Sequence, residues 1–365
     1  MKPRCNQSIL RHNKPDRSRF NGAMSRLMLS VGLSVFLNLP IVGSAIAAPL
    51  YIPIAPPPMR LSPTQETAPD YRVPALLRDF QNNLWVASWR GLAKIDPHTG
   101  RILARIALPN TQVSAMAQDR VGRLWVGTSE GIWRIDPKTN QITAQNFFLP
   151  SNRVLSMVID RRGYLWVGTD AGLALISPHE GLMMTTLKNL PGVSANALSL
   201  DPQGQLWVGT LDGLVQIDTA NALMLHQLSL REGAVQALTI DAHGSLWAGT
   251  PGGLVQIDPM QKRRVRAVTQ LQGRDVVSAV FDRVGSVWVG TSSGLLRVNP
   301  YSGAIVGQVP NLPSNRVLAL SSDTGNKLWV GTSEGLAWVS MTNYTTKPHL
   351  GFVQLLPDQS AKPND

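Results

Sequence analysis

Seven tryptophans recur at nearly constant intervals along this chain of 365 residues: Trp85, Trp125, Trp166, Trp207, Trp247, Trp288 and Trp329. The intervals are 40 or 41 residues, and each tryptophan lies in a similar phrase, best preserved as Leu-Trp-Val-Gly-Thr and followed by Gly-Leu. This regularity indicates one supersecondary unit repeated seven times. Units of about 40 residues are typical of propellers and solenoids.

Each unit contains four short runs of strand-forming residues separated by turn signals. Four strands in such a unit predict an all-β fold, a seven-bladed β-propeller of four-stranded antiparallel blades over residues 73–357. The blades are predicted to start near residues 73, 113, 154, 195, 235, 276 and 317. We expect each repeat to supply all four strands of its own blade, with residues 350–356 as the last strand. Residues 50–54 are a candidate for an added edge strand.

The repeated residues are interpreted as structural. A blade is covered on both faces by its neighbours, so the tryptophans are predicted to fill the seams, provided that each indole N–H finds an acceptor. The Gly-Thr pair after each tryptophan is predicted to end the strand where a neighbouring backbone comes close. An aspartate precedes most first turns, where its carboxylate can accept backbone N–H bonds.

No residue pattern proposes catalysis or a metal site. The six histidines have no second histidine at ligand spacing, and the aspartates are spread at one per blade. We find no nucleophile elbow and no phosphate-binding glycine loop. The sequence therefore predicts a non-enzymatic protein without a cofactor or a metal.

The first 47 residues resemble a secretory leader. Six basic residues and Arg26 precede an uncharged, mainly apolar run at residues 27–48 that ends in Ala-Ile-Ala-Ala, which predicts a signal peptide cleaved after Ala47. An uncleaved anchor is the alternative, since about 20 apolar residues suffice to cross a bilayer. Met24 is an alternative start. We expect a periplasmic or secreted bacterial protein, anchored to the membrane by residues 27–48 if the signal is retained.

Export changes the charge argument. The leader holds six units of the net charge of +11 and the only cysteine, Cys5, so the exported part carries +5 and no disulfide. That scattered excess argues against nucleic-acid binding. Residues 48–72 are rich in proline and are predicted to form a linker. Residues 358–365 are predicted to be a disordered tail.

The candidate ligand site is one rim of the propeller. The loop between a blade's second and third strands and the loop from its fourth strand to the next blade are expected to share this rim, and such loops often carry function. Two candidate residues, Trp89 and Arg90, depart from the other repeats, and the further polar candidates on the rim are Asn152, Arg153, Arg231, Arg274, Asn315 and Arg316. A separate basic cluster, residues 262–266, is predicted at the start of a fourth strand, where positive charge protects the edge; the alternative is that this cluster binds an acidic glycan or a lipid head group.

The phrase Asp-x-x-Gly-x-Leu-Trp-Val-Gly-Thr-x-x-Gly-Leu, at residues 160–173 and 201–214, resembles the two-component regulator propeller repeat. The resemblance implies a propeller like the periplasmic sensor half of a bacterial two-component receptor, which in several families recognises carbohydrates. We therefore expect a carbohydrate, another small molecule or an envelope protein as the partner on the rim. A protein-interaction scaffold in envelope assembly and a streptogramin-lyase-like enzyme are the alternatives.

Overall fold

The structure, a computed structural model, describes residues 70–353 except residue 89, residues 109–111 and residue 147. The predicted leader, nearly all of the predicted linker, the candidate strand at residues 50–54 and the predicted tail lie outside the described residues. Strands dominate the rest of the chain, and the repeats form seven antiparallel four-stranded sheets in sequence order. The predicted fold class, a seven-bladed β-propeller, is confirmed.

The first four blades begin at Leu76, Val113, Val154 and Ala197. Blade 1 consists of β1 (Leu76–Arg78), β2 (Leu84–Ser88), β3 (Gly91–Ile95) and β4 (Ile102–Ile106). Blade 2 consists of β5 (Val113–Gln118), β6 (Leu124–Thr128), β7 (Gly131–Asp136) and β8 (Gln141–Asn146). Blade 3 consists of β9 (Val154–Ile159), β10 (Leu165–Thr169), β11 (Gly172–Ile176) and β12 (Met183–Leu187). Blade 4 consists of β13 (Ala197–Leu200), β14 (Leu206–Thr210), β15 (Gly213–Asp218) and β16 (Leu223–Ser229).

The remaining three blades begin at Ala237, Val276 and Val317. Blade 5 consists of β17 (Ala237–Ile240), β18 (Leu246–Thr250), β19 (Gly253–Asp258) and β20 (Arg263–Ala267). Blade 6 consists of β21 (Val276–Phe281), β22 (Val287–Thr291), β23 (Gly294–Val298) and β24 (Ile305–Val309). Blade 7 consists of β25 (Val317–Ser321), β26 (Lys327–Thr332), β27 (Gly335–Ser340) and β28 (Thr346–Pro348). Short 3-10 helices cover Thr269–Leu271 and Leu350–Phe352.

The ring closes between blades 7 and 1 with the same bond that joins other neighbours. Val73 N donates to Thr332 O over 3.0 Å, as Ala195 N donates to Thr169 O over 2.9 Å between blades 3 and 4. Val73 also packs in one apolar cluster with Trp329 and Leu84, which joins the two ends of the series. Each repeat supplies its whole blade, as predicted, so the closing seam depends on side-chain packing and hydrogen bonds without strand exchange.

All seven repeat tryptophans are buried, with at most 1% of their surface exposed. Six indole N–H groups donate to the aspartate six residues earlier, as from Trp207 Nε1 to Asp201 Oδ2 over 3.0 Å. In blade 7, Trp329 Nε1 donates instead to Thr324 O over 3.1 Å. The core interpretation is confirmed, and the acceptor that it required is the repeat aspartate.

The seams also carry a cationic contact that the sequence did not suggest. In several blades a cation lies against the tryptophan ring and donates to a carbonyl of the next blade. Arg134 lies 5.6 Å from the Trp125 ring centre and donates to Pro178 O and His179 O. At the closing seam, Lys327 lies 5.7 Å from the Trp329 ring and donates to Pro97 O and His98 O.

The Gly-Thr pair has the predicted close approach. A side chain added to Gly168 would meet Ala195 O of the next blade at 2.3 Å, so only glycine fits there. The hydroxyl of Thr169 donates to Gly172 O over 2.9 Å and fixes the tight turn that follows. Gly172 has a φ of +127°, a conformation that glycine adopts readily.

The prediction for the last strand was wrong. The fourth strand of blade 7 is β28, and within residues 350–356 the described part is a 3-10 helix, Leu350–Phe352. His349 N still donates to Leu336 O over 2.7 Å, after which the chain turns inward. Phe352 is buried against the closing-seam cluster. The chain leaves the edge strand here because burying Phe352 against that apolar cluster is more favourable than lengthening the strand.

Candidate functional site

The antiparallel order of the strands divides the connections between two sides of the ring. We call the side with the loops after second and fourth strands the loop rim, and the side with the turns after first and third strands the turn face. Rim loops contact each other as expected: Ser333 N donates to Arg316 O over 3.0 Å, and Gly252 N donates to Glu232 O over 3.0 Å. The two kinds of predicted rim segment therefore form one surface.

The structure places the predicted rim residues in separate sectors. Trp89 lies outside the described residues, and its neighbour Arg90 is exposed in the turn of blade 1. In the sector before blade 7, Asn315 and Arg316 are exposed, and the hydroxyls of Ser314 and Ser333 bond to each other over 2.8 Å.

Another sector lies where blade 2 joins blade 3. Arg153 Nη1 is 3.9 Å from Asp170 Oδ2, with both side chains well exposed, so the contact is a weak surface ion pair. Asn152 Oδ1 and Asp170 Oδ1 are buried and have no hydrogen-bond partner among the described residues. The predicted Asn152 and Arg153 therefore lie beside an acidic residue that the sequence analysis did not select.

A further sector, between blades 4 and 6, contains a cavity on the rim. This cavity of about 500 Å³ is lined by side chains and glycines of two successive rim loops and of β20. Arg231 and Glu232 come from the loop before blade 5, Arg264 from β20, and Thr269 and Gln272 from the loop before blade 6. Arg274, also predicted, is exposed in that last loop beside Asp275, whose Oδ1 is buried without a partner among the described residues.

Glu232 is a candidate residue that the sequence analysis did not select. Arg264 Nη2 lies 2.5 Å from Glu232 Oε1, and Oε2 is buried without a partner in the described part of the chain. A buried carboxylate oxygen without a donor is costly for folding, which makes Glu232 a candidate for contact with a ligand. The basic cluster at residues 262–266 was assigned to edge protection, and the structure directs one of its members, Arg264, into this site.

Two further cavities lie on the turn face. One of about 460 Å³ is bordered by His98, Arg283 and Asp323. Burial raises the pKa of the Asp323 carboxyl above its usual 3.8, partly offset by the charge of Arg283. The other, of about 250 Å³, is bordered by His243 and Tyr301, whose side chains bond over 2.9 Å.

No metal centre is present among the residues that the structure describes: they include no group of three or more His, Cys, Asp or Glu side chains that could hold an ion. The same residues include no helix long and apolar enough to cross a membrane. The predicted apolar segment at residues 27–48 lies outside them.

Comparison with known families bears on the repeats directly. The family described as the two component regulator propeller matches residues 107–130, 149–171 and 189–212. The chain carries two-component regulator propeller repeats. The resemblance predicted from the sequence is confirmed, and the matched segments include the β6, β10 and β14 tryptophans.

Two solved structures resemble this propeller. One is the extracellular domain of a one-component system from B. thetaiotaomicron, with 17% identity, a TM-score of 0.53 and coverage of 76% of this chain. The chain aligns with 46% of that domain, less than half of its length. The other is virginiamycin B lyase from Staphylococcus aureus, with 14% identity, a TM-score of 0.60 and coverage of 72% of this chain and 92% of the lyase. No curated protein matches the chain by sequence. At these identities the structural likeness shows the fold alone.

Proposed function

We propose that this propeller is a non-catalytic, exported sensing module that binds a ligand on its loop rim, in the cavity bordered by Arg231, Glu232 and Arg264. The observation that carries the proposal is Glu232. Its carboxylate holds one donor, from Arg264, and leaves a buried oxygen unpartnered beside a cavity of about 500 Å³. A volume of that size is typical of small-molecule sites.

The repeats support a sensing role. Propellers of this family resemble the sensing halves of signalling proteins, and the B. thetaiotaomicron neighbour is an extracellular domain of such a system. The ligand is a small polar molecule, a carbohydrate among the candidates, and the apolar leader predicted at residues 1–47 would deliver the propeller to the periplasm or beyond. A fusion of residues 1–69 to a reporter that is active only after export tests the localisation.

The binding test is a thermal-shift screen of the purified protein against neutral sugars, sugar acids, amino acids and short peptides. Hits are then titrated calorimetrically against wild type, Glu232→Gln and a matched control, Glu130→Gln, which changes an exposed rim glutamate outside the cavity. The proposal expects a hit that Glu232→Gln weakens and Glu130→Gln leaves unchanged. A hit that is equally insensitive to both variants, or no hit at all, contradicts it.

Experiments on the same purified protein distinguish the alternative functions. Recovery of one stable envelope protein, together with no small-molecule binding, would favour a scaffold in envelope assembly. Turnover of a streptogramin would favour an enzyme similar to the lyase that shares the fold.

A further inference from the structure

The charged groups at the rim cavity differ in how many of their hydrogen-bonding atoms already have a partner in the protein. Arg264 is tied to Glu232 Oε1, yet 43% of its side chain is exposed, so several of its five N–H donors remain free for a ligand. Arg231 is exposed and makes no hydrogen bond or ion pair that we can identify within the described residues. The site therefore offers a ligand a hydrogen-bond acceptor on Glu232 that has no donor, together with the positive charge of Arg231.

The backbone of Glu232 is held at the cavity wall by Gly252. Gly252 N donates to Glu232 O over 3.0 Å, and a side chain added to Gly252 would meet that oxygen at 2.7 Å. Only 13% of the Glu232 side chain is exposed. The last torsion of a glutamate is soft, so a small rotation presents its unpartnered oxygen to the cavity.

The floor of the cavity is apolar. Leu254 is fully buried, and Val268 and Ala267 lie beside it. Gly273 N donates to Gly252 O over 2.9 Å, which keeps the two glycines together and the wall free of side chains. An aliphatic group can rest on this floor while polar groups bond at the edge.

The charges restrict the ligand. A buried carboxylate gains most from a donor that is itself charged, since such hydrogen bonds are roughly twice as strong as neutral ones. Arg231 is exposed at the cavity and offers its guanidinium to an anion, and a guanidinium matches a carboxylate in a bidentate pair. A ligand that carries both a cation and an anion can use the unpartnered Glu232 oxygen and Arg231 together, while a ligand with one charge can use only one of them.

We propose that the cavity binds a zwitterionic aliphatic amino acid. Its ammonium group lies on Glu232, its carboxylate on Arg231 and the free donors of Arg264, and its side chain on Leu254 and Val268. This inference rests on the proposed function and deepens it by naming the ligand class.

The test is calorimetric titration of the wild-type protein with L-leucine and two matched analogues. Leucinamide keeps the ammonium group and lacks the carboxylate, while N-acetyl-leucine keeps the carboxylate and lacks the ammonium group. We expect L-leucine to bind and each analogue to lose at least about tenfold in affinity, the range for a charge-assisted hydrogen bond. L-aspartate should also bind more weakly because its side-chain carboxylate meets the apolar floor.

Variants of the protein test which residue binds the ammonium group of the ligand and which binds its carboxylate. Glu232→Gln should remove most of the discrimination against N-acetyl-leucine, and Arg231→Gln should remove most of the discrimination against leucinamide. Lys188→Gln, which changes an exposed lysine of the same rim outside the cavity, should keep both. The analogue series on the wild-type protein carries the test even where a variant fails to fold.

The outcomes are distinguishable. Binding of galacturonic acid or galactose in place of L-leucine, with sensitivity to Glu232→Gln, overturns the amino-acid assignment and leaves the proposed function intact. Equal binding of L-leucine and both analogues also overturns it. No binding of any small molecule at this cavity overturns both proposals.

Discussion

The turn face and the loop rim differ in how their buried carboxylates are bonded. On the turn face, six repeat aspartates have one oxygen bonded by two backbone N–H groups and the other by an indole N–H, as Asp282 is by Val284, Ser286 and Trp288. On the loop rim, three carboxylates each leave one buried oxygen without a partner in the described chain: Asp170, Glu232 and Asp275. Because an unpartnered buried carboxylate oxygen is costly for folding, we attribute stability to the bonded aspartates of the turn face and propose recognition for the loop rim.

The largest effect should come from the indoles that the turn-face aspartates hold. Trp207→Ala should lower the free energy of unfolding by about 3–5 kcal/mol, as expected for removing a buried aromatic side chain. Denaturant unfolding measures this. Phe80→Ala, at a turn-face side chain that is 68% exposed, is the control and should change stability by less than about 0.5 kcal/mol. Similar losses in both variants would refute the buried role of the repeat tryptophans.

The next effect compares two aspartates at the same repeat position. Asp282→Asn should lower the free energy of unfolding by about 1–3 kcal/mol. The Trp288 indole N–H donates to the Asp282 carboxylate, and in the variant it would face an amide nitrogen, which cannot accept the bond. Asp323 makes no such bond because Trp329 donates to Thr324 O. Asp323→Asn should therefore be neutral or slightly stabilising at pH 7. Equal losses in the two variants would show that the carboxylate matters at both positions.

The effect of Asp323→Asn should also depend on pH. The pKa of Asp323 is raised by burial, so the folded protein holds that proton more tightly than the unfolded chain does. Its ionisation penalty is absent below the unfolded value near 3.8, grows as the pH rises through the folded pKa and is fully present at neutral pH. Any stabilisation by Asp323→Asn should accordingly vanish in thermal melts below that pH. A stabilisation that persists unchanged into acid would exclude this cause.

Much of the turn face was predictable, and a close reading of spacing would have predicted more. Each repeat aspartate precedes its tryptophan by six residues, which is the signal for the indole acceptor. The exception in blade 7 is visible too: glycine follows Asp282 by three residues but follows Asp323 by two. That shifted turn gives Asp323 a φ of +55° and directs its carboxyl away from Trp329.

The rim was less predictable because its partners come from different blades. Arg231 was selected as a polar residue of a rim loop, but Glu232 was not, since nothing near it in sequence indicates that Arg264 of the next blade will reach it. The last strand was misplaced for a similar reason. Local strand-forming residues favoured residues 350–356, whereas Phe352 is needed to cover a cluster formed by blades 7 and 1.

A smaller effect is expected at the closing seam. Lys327→Met should cost about 1–2 kcal/mol, because it removes the bonds from Lys327 to Pro97 O and His98 O that join blades 7 and 1. Lys138→Met, at an exposed turn-face lysine, is the control. Native-state hydrogen exchange should show faster opening of β1 and β25 in the Lys327 variant only. Unchanged exchange would place the stability of the seam elsewhere.

The smallest effect should come from the rim. Asp275→Asn and Asn152→Ala should each change the free energy of unfolding by no more than about 0.5 kcal/mol, because the oxygens concerned bond to nothing in the described chain. Thermal melts of these variants beside Asp282→Asn measure the contrast. A loss of stability as large as that of Asp282→Asn would mean that the rim groups also support the fold.

The most direct test of the division between the two sides measures stability and binding in the same two variants. Glu232→Gln and Asp282→Asn are each melted and each titrated with L-leucine. The account predicts that Glu232→Gln keeps the wild-type melting temperature and weakens binding at least about tenfold, while Asp282→Asn lowers the melting temperature and keeps the wild-type affinity at a temperature where it is folded. A turn-face variant that loses affinity while folded, or a rim variant that loses stability and keeps affinity, would contradict it.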